Sequence, residues 1–291
     1  MITIDINPNA FVIGSFILSW HGFFTFVGVI MAVILSGRWA TITIADAKSR
    51  TTIDPEIVYS TATWGILGGI IGARVVHVID NWALIYSSQP IQVLYIWNGG
   101  IGLWGGILGG FIGGAVYALI KKHPVGPLAD IAAPAMILTQ TIGRIGDIVN
   151  GEHCARATDM FLGFTWIHPG TMARYCADGY YTSVQPVILY EIVWNMVALS
   201  IIWTLRGRLK PAGMLFALYL ALYAVGRFII SFQRIDLVWT YGMQEAHFIS
   251  LLILAITIPL LVIKARLIER IKPIAQELQI GKGTRAERRR K

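Results

Sequence analysis

A short stretch of this sequence combines charged and amide residues with the end of a hydrophobic segment. Within Thr141–Glu152 lie Arg144, Asp147, Asn150 and Glu152. Ionisable groups at membrane depth are costly, so they usually face a protein interior or a water-filled cavity and mark a functional site. On a helix, Arg144, Asp147 and Gly151 would share one stripe, which lets the cation and the acid contact each other. The stretch therefore indicates either a site for an anionic group or a structural ion pair between helices.

The composition is that of an integral membrane protein. Of 291 residues, 55% are hydrophobic and 14% are charged, and the mean hydropathy is +0.63. Soluble domains carry about 25% charged residues. Hydrophobic segments long enough to span a membrane lie at about 11–35, 57–79, 99–120, 128–149, 184–204, 213–232 and 247–263. We therefore predict an all-α membrane domain of seven transmembrane helices over residues 1–263, and a basic cytoplasmic tail over 264–291.

Two regions outside these spans have separate interpretations. The segment between residues 81 and 98 is apolar but contains Pro90, so we expect it to lie at the membrane interface. The N-terminal residues Met1–Asp5 include no basic residue ahead of the first apolar run. We therefore expect no cleaved signal peptide.

The distribution of basic residues indicates the orientation. Most of the 24 Lys and Arg residues fall in the tail and in loops that alternating spans place on one side. Because cytoplasmic loops are enriched in Lys and Arg, we predict the N-terminus outside and the C-terminus in the cytoplasm. The net charge of +8 then reflects topology, and we predict no nucleic-acid partner. Residues 150–183 become the sizeable outer segment, where Cys154 and Cys176 either pair or remain free thiols.

The remaining basic residues are all arginines, and they gather near the predicted outer face. Guanidinium groups bind phosphate through paired hydrogen bonds. This set therefore predicts a site for an anionic lipid headgroup. Its members within spans are Arg74, Arg144 and Arg227, and those in or beside outer loops are Arg156, Arg174 and Arg234.

Several motifs together resemble the bacterial prolipoprotein diacylglyceryl transferases. The most specific is GRIGDIVNGE at residues 143–152, which corresponds to the signature of that family. Further matches, in chain order, are WHG at 20–22, GAR at 72–74, WNGG at 97–100, PVILYE at 186–191 and YAVGR at 223–227. The resemblance covers nearly the whole chain. The chain departs from the family pattern at Trp104, Ala155, Gln185 and Ser231.

The resemblance implies an enzyme of the bacterial cytoplasmic (inner) membrane, with its active site toward the outer face. Such enzymes move the diacylglyceryl group of phosphatidylglycerol onto the thiol of the lipobox cysteine of a preprolipoprotein, and they release glycerol phosphate. The implied partners are phosphatidylglycerol, the lipobox peptide and the bilayer. The alternative is a non-enzymatic lipid-binding or lipid-transporting membrane protein, or an inactive paralogue.

Displacement at a glycerol carbon by sulfur, with a phosphate ester leaving, makes two physical demands. Fixed cations must meet the charge that grows on the phosphate. We predict Arg144 and Arg227 for this role, with Arg234 assisting from the same helical stripe as Arg227. A base must take the thiol proton. We predict His21 as this base, and His77 and His153 are its competitors.

A second set of residues is predicted to bind or orient the substrate. These residues are Arg74, Asp147, Asn150, Glu152, Tyr190 and Glu191. Helix capping and interhelical hydrogen bonding are the alternative roles for the uncharged and acidic members. The sequence has no phosphate-binding glycine loop and no metal-ligand cluster, so we predict no cofactor and no metal.

Overall fold

The computed structural model describes residues 1–14, 16–40, 53–96, 99–100, 102–176 and 179–268. The predicted basic tail falls largely outside the described residues, as do Trp97 and Asn98 of the WNGG motif. Long helices dominate the part that is described. They are α1 (Trp20–Ala40), α2 (Pro55–Asp80), α3 (Leu103–Ile120), α4 (Val125–Asn150), α5 (Val187–Leu205), α6 (Met214–Ser231) and α7 (Glu245–Lys264).

Six of these helices are long and apolar enough to cross a membrane: α1, α2, α4, α5, α6 and α7. The protein is therefore a multi-pass membrane protein, as predicted. The apolar part of α3, Trp104–Ile120, is shorter, so the seventh span stays a prediction. The predicted interfacial segment contains two short helical turns, Trp82–Tyr86 and Pro90–Leu94.

Short strands supplement the helices. They are β1 (Ile2–Ile4), β2 (Asn9–Ile13), β3 (Phe16–Ser19), β4 (Phe164–Trp166), β5 (Leu209–Lys210), β6 (Val238–Thr240), β7 (Met243–Gln244) and β8 (Arg266–Leu267). In the described residues they form two-stranded sheets, in which β1 pairs with β4, β2 with β3, β5 with β8 and β6 with β7. Among these described strands, β1 and β4 pair in parallel and the other pairs are antiparallel.

The predicted start of span one at residue 11 was wrong. Residues 9–19 form the β2–β3 hairpin, with Gly14 at φ +60° in its turn. Ser19 then caps α1, because its hydroxyl accepts the backbone N–H of Gly22 at 3.1 Å. Helix α1 consequently begins at Trp20, which places His21 in its first turn.

The chain divides into two compact units, Met1–Leu35 with Ala129–Lys291, and Ser36–Leu128. In the second unit, α2 and α3 approach each other closely through facing glycines. A Cβ on Gly72 would clash with the carbonyl oxygen of Gly105, and one on Gly109 would clash with that of Gly68. These glycines therefore serve helix packing.

In the first unit, the segment between α4 and α5 (residues 151–186) packs on the end of α4. Trp166, which is 2% exposed, donates its indole N–H to the carbonyl of Ile148 at 2.8 Å. Cys154 and Cys176 form a disulfide within this segment. Gly151 has φ +59°, and a Cβ there would meet Thr171 and Trp166, so glycine is required where the chain leaves α4.

Two glycines allow close contacts between helices of this unit. A Cβ on Gly146 of α4 would lie 2.6 Å from the Cα of His21, so glycine allows α1 to touch α4 there. Gly226 of α6 similarly lies against the ring of Trp194 on α5. The indole N–H of Trp194 donates to the carbonyl of Leu222 at 2.8 Å.

Candidate active site

The last two turns of α4 provide a buried carboxylate and its arginine. Arg144 Nη1 donates to Asp147 Oδ2, one helical turn away, and Asp147 is fully buried. The predicted contact between cation and acid is therefore present. Asn150, also buried, accepts the backbone N–H of His21 on its side-chain oxygen at 3.3 Å and donates from its amide to the exposed Glu152.

The first turn of α1 adds a histidine to the same carboxylate. His21 Nδ1 contacts Asp147 Oδ1. Because a carboxylate only accepts hydrogen bonds, Nδ1 carries the proton, and in the neutral ring the lone pair lies on Nε2. The His21 side chain is 42% exposed whereas that of Asp147 is 1% exposed. The ring is thus held on its buried edge, and its remaining nitrogen, Nε2, carries the lone pair that a base needs.

A single carboxylate on α5 joins arginines from three parts of the chain. Arg144 Nε contacts Glu191 Oε2, and Arg227 Nη1 on α6 donates to Glu191 Oε1 at 3.0 Å. Arg234 Nη1 lies 3.8 Å from Glu191 Oε1. Arg144 and Arg227 therefore lie close enough together to contact one headgroup phosphate.

The predicted helical stripe from Arg227 to Arg234 was wrong, because α6 ends at Ser231. Arg234 reaches the site from the turn that follows α6, where its backbone pairs with Ala155. Its guanidinium donates to both carboxylate oxygens of Asp236, at 2.7 and 3.3 Å. Burial alone would raise the pKa of the Asp236 carboxyl, but the hydrogen bonds from Arg234 and the positive charges of Arg234 and Arg227 together outweigh this effect and lower that pKa.

Two other predicted substrate-binding residues have different surroundings. The hydroxyl of Tyr190 donates to the side chain of Gln185 at 2.7 Å. Arg74, in the other compact unit, donates to five backbone carbonyls between Gln92 and Gly100. Arg74 thus holds this loop in place, and its role in substrate binding stays a prediction.

Comparison with known proteins identifies the family. The family model described as "Prolipoprotein diacylglyceryl transferase" matches residues 8–263. The chain belongs to the prolipoprotein diacylglyceryl transferase family. It is therefore a membrane transferase, as the resemblance of its motifs predicted.

Proteins named phosphatidylglycerol–prolipoprotein diacylglyceryl transferase are similar along nearly their full length. The Listeria innocua protein is 31% identical, over 95% of this chain and 96% of the relative. A Dehalococcoides mccartyi protein is 32% identical, over 91% and 96% respectively. The Staphylococcus aureus protein is 33% identical, over 88% of each chain.

In this transferase, sequence reasoning underestimated His153. Its Nε2 lies 3.1 Å from Arg144 Nη1 and its Nδ1 lies 3.1 Å from Arg234 Nη2, so the ring lies between two arginines. Asp236 was missed altogether. The sequence did contain a signal for Asp236. It lies two residues after Arg234, just beyond the sixth predicted span, where an acid can pair with a neighbouring arginine.

One set of potential metal ligands lies within the transferase site. A ligand atom from each of His21, Asp147 and Glu152 falls within 4.8 Å of the others. The Asp147 carboxylate already contacts His21 and Arg144, and a cation there would face the guanidinium. We therefore assign these groups to hydrogen bonding.

Proposed function

We propose that this chain transfers the diacylglyceryl group of phosphatidylglycerol to the thiol of the lipobox cysteine in a preprolipoprotein. The thiolate sulfur attacks the glycerol carbon that carries the phosphate ester. A carbon–sulfur bond forms, the carbon–oxygen bond breaks, and glycerol phosphate leaves with the electron pair. Family membership supports this reaction class, and the arrangement of Arg144, Arg227 and Glu191 supports it independently.

The observation that carries the proposal is that Arg144 and Arg227 contact one carboxylate from two different helices. The headgroup phosphate binds beside this pair, and both guanidiniums share the charge that grows as the ester oxygen leaves. Their side chains are only 21% and 22% exposed. Electrostatic stabilisation is worth most in such a water-poor site. Arg234 assists from the turn after α6.

His21 accepts the thiol proton on Nε2, and Asp147 holds the ring through Nδ1. This arrangement fixes both the tautomer and the direction of the free lone pair. The proton then passes to the leaving phosphate. Asn81 contacts the Nδ1 of the competitor His77 at 3.3 Å, whereas the carboxylate of Asp147 orients the His21 ring, so His21 is the better supported candidate.

The other predicted residues act around this centre. Asn150 fixes the start of α1 through the backbone of His21, and Glu152 engages the amide of Asn150. Glu191 orients the arginines. Tyr190 contributes to the wall that receives the substrate, and Arg74 holds the backbone carbonyls that it contacts in its own unit.

The site faces the outer side of the bacterial inner membrane, with the N-terminus outside and the C-terminus in the cytoplasm. The contact of His21 with Asp147 supports seven spans, because it requires the start of α1 and the end of α4 to lie on one side. If α2 crossed the membrane and α3 did not, these two ends would lie on opposite sides. We therefore include α3 as the seventh span.

A direct test incubates the purified protein with phosphatidylglycerol and a lipobox peptide. The expected result is a peptide mass increase equal to one diacylglyceryl group, together with release of glycerol phosphate. A matched peptide with serine in place of the cysteine should gain no mass. If phosphatidylglycerol binds but the cysteine peptide is never modified, the protein is a lipid-binding protein and the proposal fails.

A further inference from the structure

His153 lies between charged groups that come from two parts of the chain. Its Nδ1 lies 3.1 Å from Arg234 Nη2, after α6. Its Nε2 lies 3.1 Å from Arg144 Nη1 and 3.3 Å from Asp147 Oδ2, both on α4. The His153 side chain is 22% exposed. The imidazole therefore spans the gap between α4 and the turn that carries Arg234.

The chemistry of these neighbours defines which nitrogen carries the proton. Guanidinium groups only donate hydrogen bonds and a carboxylate only accepts them. A neutral ring satisfies both sides when Nε2–H donates to Asp147 and the Nδ1 lone pair accepts from Arg234. The contact of Nε2 with Arg144 then reflects the Asp147 oxygen that both groups share. His153 is thus fixed as an acceptor toward Arg234.

The backbone that follows His153 is tied down as well. The next residue, Cys154, forms the disulfide with Cys176, and its carbonyl accepts the N–H of Ile235 at 3.1 Å. Ala155 pairs with Arg234. Residues 154 and 155 therefore anchor the His153 ring, because they pair with the turn that carries Arg234.

Arg234 has one nitrogen that these contacts leave for another group. Nε and Nη2 are engaged by Asp236, and Nη2 also by His153. Nη1 is buried, lies 3.8 Å from Glu191, and has no hydrogen-bond acceptor among the described residues. A buried donor without an acceptor is costly. An anionic oxygen placed beside Glu191 would satisfy it.

We propose that His153 is a positioning residue, which holds Arg234 so that its Nη1 meets the headgroup phosphate of the anionic lipid. This inference rests on the proposed function for the identity of the lipid. His153 touches neither the thiol nor the glycerol carbon. Its effect on lipid binding passes through Arg234.

Three substitutions separate this role from simple packing. His153→Asn keeps an acceptor near the position of Nδ1, and His153→Gln moves the amide toward the position of Nε2. His153→Leu keeps volume without any acceptor. We expect His153→Leu and His153→Gln to raise the KM for phosphatidylglycerol about tenfold or more, because each loses a hydrogen bond to a charged group. We expect His153→Asn to keep a KM for phosphatidylglycerol near that of the wild type. The KM for the lipobox peptide should be unchanged in all three variants.

The matched control is His168→Leu, in the same α4–α5 segment. The His168 ring accepts the N–H of Gly170 at 3.1 Å, and this variant should behave as wild type. Binding to micelles of phosphatidylglycerol or phosphatidylcholine, measured without peptide, gives a readout that does not need turnover. In an Arg234→Gln background, His153→Leu should have no further effect on either measurement.

The outcomes are distinct. If all three His153 variants have the wild-type KM for phosphatidylglycerol, or if all three raise it equally, the positioning role is refuted. Suppose that the wild-type protein transfers no lipid but binds phosphatidylglycerol in preference to phosphatidylcholine. If His153→Leu and His153→Gln lose that preference and His153→Asn keeps it, the inference holds and the proposed function fails. If wild type neither transfers lipid nor prefers phosphatidylglycerol, both fail.

Discussion

Replacing Arg144 with lysine tests the phosphate clamp directly. Arg144 contacts Asp147 through Nη1 and Glu191 through Nε, and these carboxylates lie on different helices. A lysine ammonium is a single point charge on a flexible stem, so it cannot reproduce the planar fork that meets both. Arg144→Lys therefore keeps the charge and removes the geometry.

The expected loss follows from the number of contacts. One lost hydrogen bond between charged groups costs about 1.5–3 kcal/mol. Removing one donor from charge that develops in a transition state costs about 3–4 kcal/mol, or roughly 100- to 1,000-fold in kcat. Because Arg144 serves both purposes in the proposed mechanism, we expect kcat to fall at least about 100-fold, with little change in the KM for the peptide.

The assay measures diacylglyceryl transfer to a lipobox peptide by mass spectrometry, with phosphatidylglycerol varied. Arg208→Lys, in the connection between α5 and α6, is the matched control and should retain wild-type kcat. Melting curves in detergent check that both variants fold. A folded Arg144→Lys enzyme with kcat within about threefold of wild type would refute the clamp, because threefold is well below the cost of one lost donor.

Three further predictions address the base, a buried cap and the disulfide. His21→Phe should reduce turnover and remove the loss of activity at acidic pH that protonation of a catalytic histidine causes; an unchanged pH–rate profile would exclude it as the base. Asp130→Ala should lower the free energy of unfolding by about 2 kcal/mol, and so lower the melting temperature, because the Asp130 carboxylate accepts two backbone N–H groups at the start of α6. The control Asp159→Ala, at an exposed position, should leave the melting temperature unchanged. Cys154 and Cys176 should resist alkylation until the disulfide is reduced. Reduction should lower the free energy of unfolding by roughly 3 kcal/mol, and with it the melting temperature. Alkylation of either cysteine without a reductant would contradict the pairing.

Contacts within one helix were predictable from the sequence. Arg144 and Asp147 are three residues apart, so helical geometry alone brings them together. The convergence of Arg144 and Arg227 on Glu191 was not predictable, because it depends on how three helices pack. That packing is fixed partly by Gly226, which lies against the ring of Trp194, and periodicity does not reveal such a contact.

The misplaced start of the first span has a physical explanation. Residues 9–19 are mostly apolar and carry no charge, which suits either the end of a transmembrane helix or a hydrophobic hairpin. Val12, Ile13 and Ile17 are β-branched and favour strands. Gly14 supplies the turn, and Ser19 supplies the cap of α1. Apolar composition outweighed these local signals in the sequence interpretation, although turn and cap chemistry decide where the helix begins.

The three arginines of the site and the carboxylates that contact them are balanced in charge before substrate binds. Arg144, Arg227 and Arg234 are contacted by the carboxylates of Asp147, Glu191 and Asp236, so three positive charges face three negative ones. A balanced set avoids the large cost of a net charge at membrane depth. The bound phosphodiester then adds a single negative charge.

This balance gives the proton on His21 a second role in the proposed reaction. When sulfur replaces oxygen on the glycerol carbon, the negative charge of the thiolate moves to the phosphate, and the protonated ring remains beside it. Passing the proton to the phosphate restores the neutral ring. The net charge of the site with its substrates therefore stays constant from thiol to product. A fixed cation in place of His21 could attract the thiolate but could not complete this cycle, so His21→Lys should not replace the histidine in turnover.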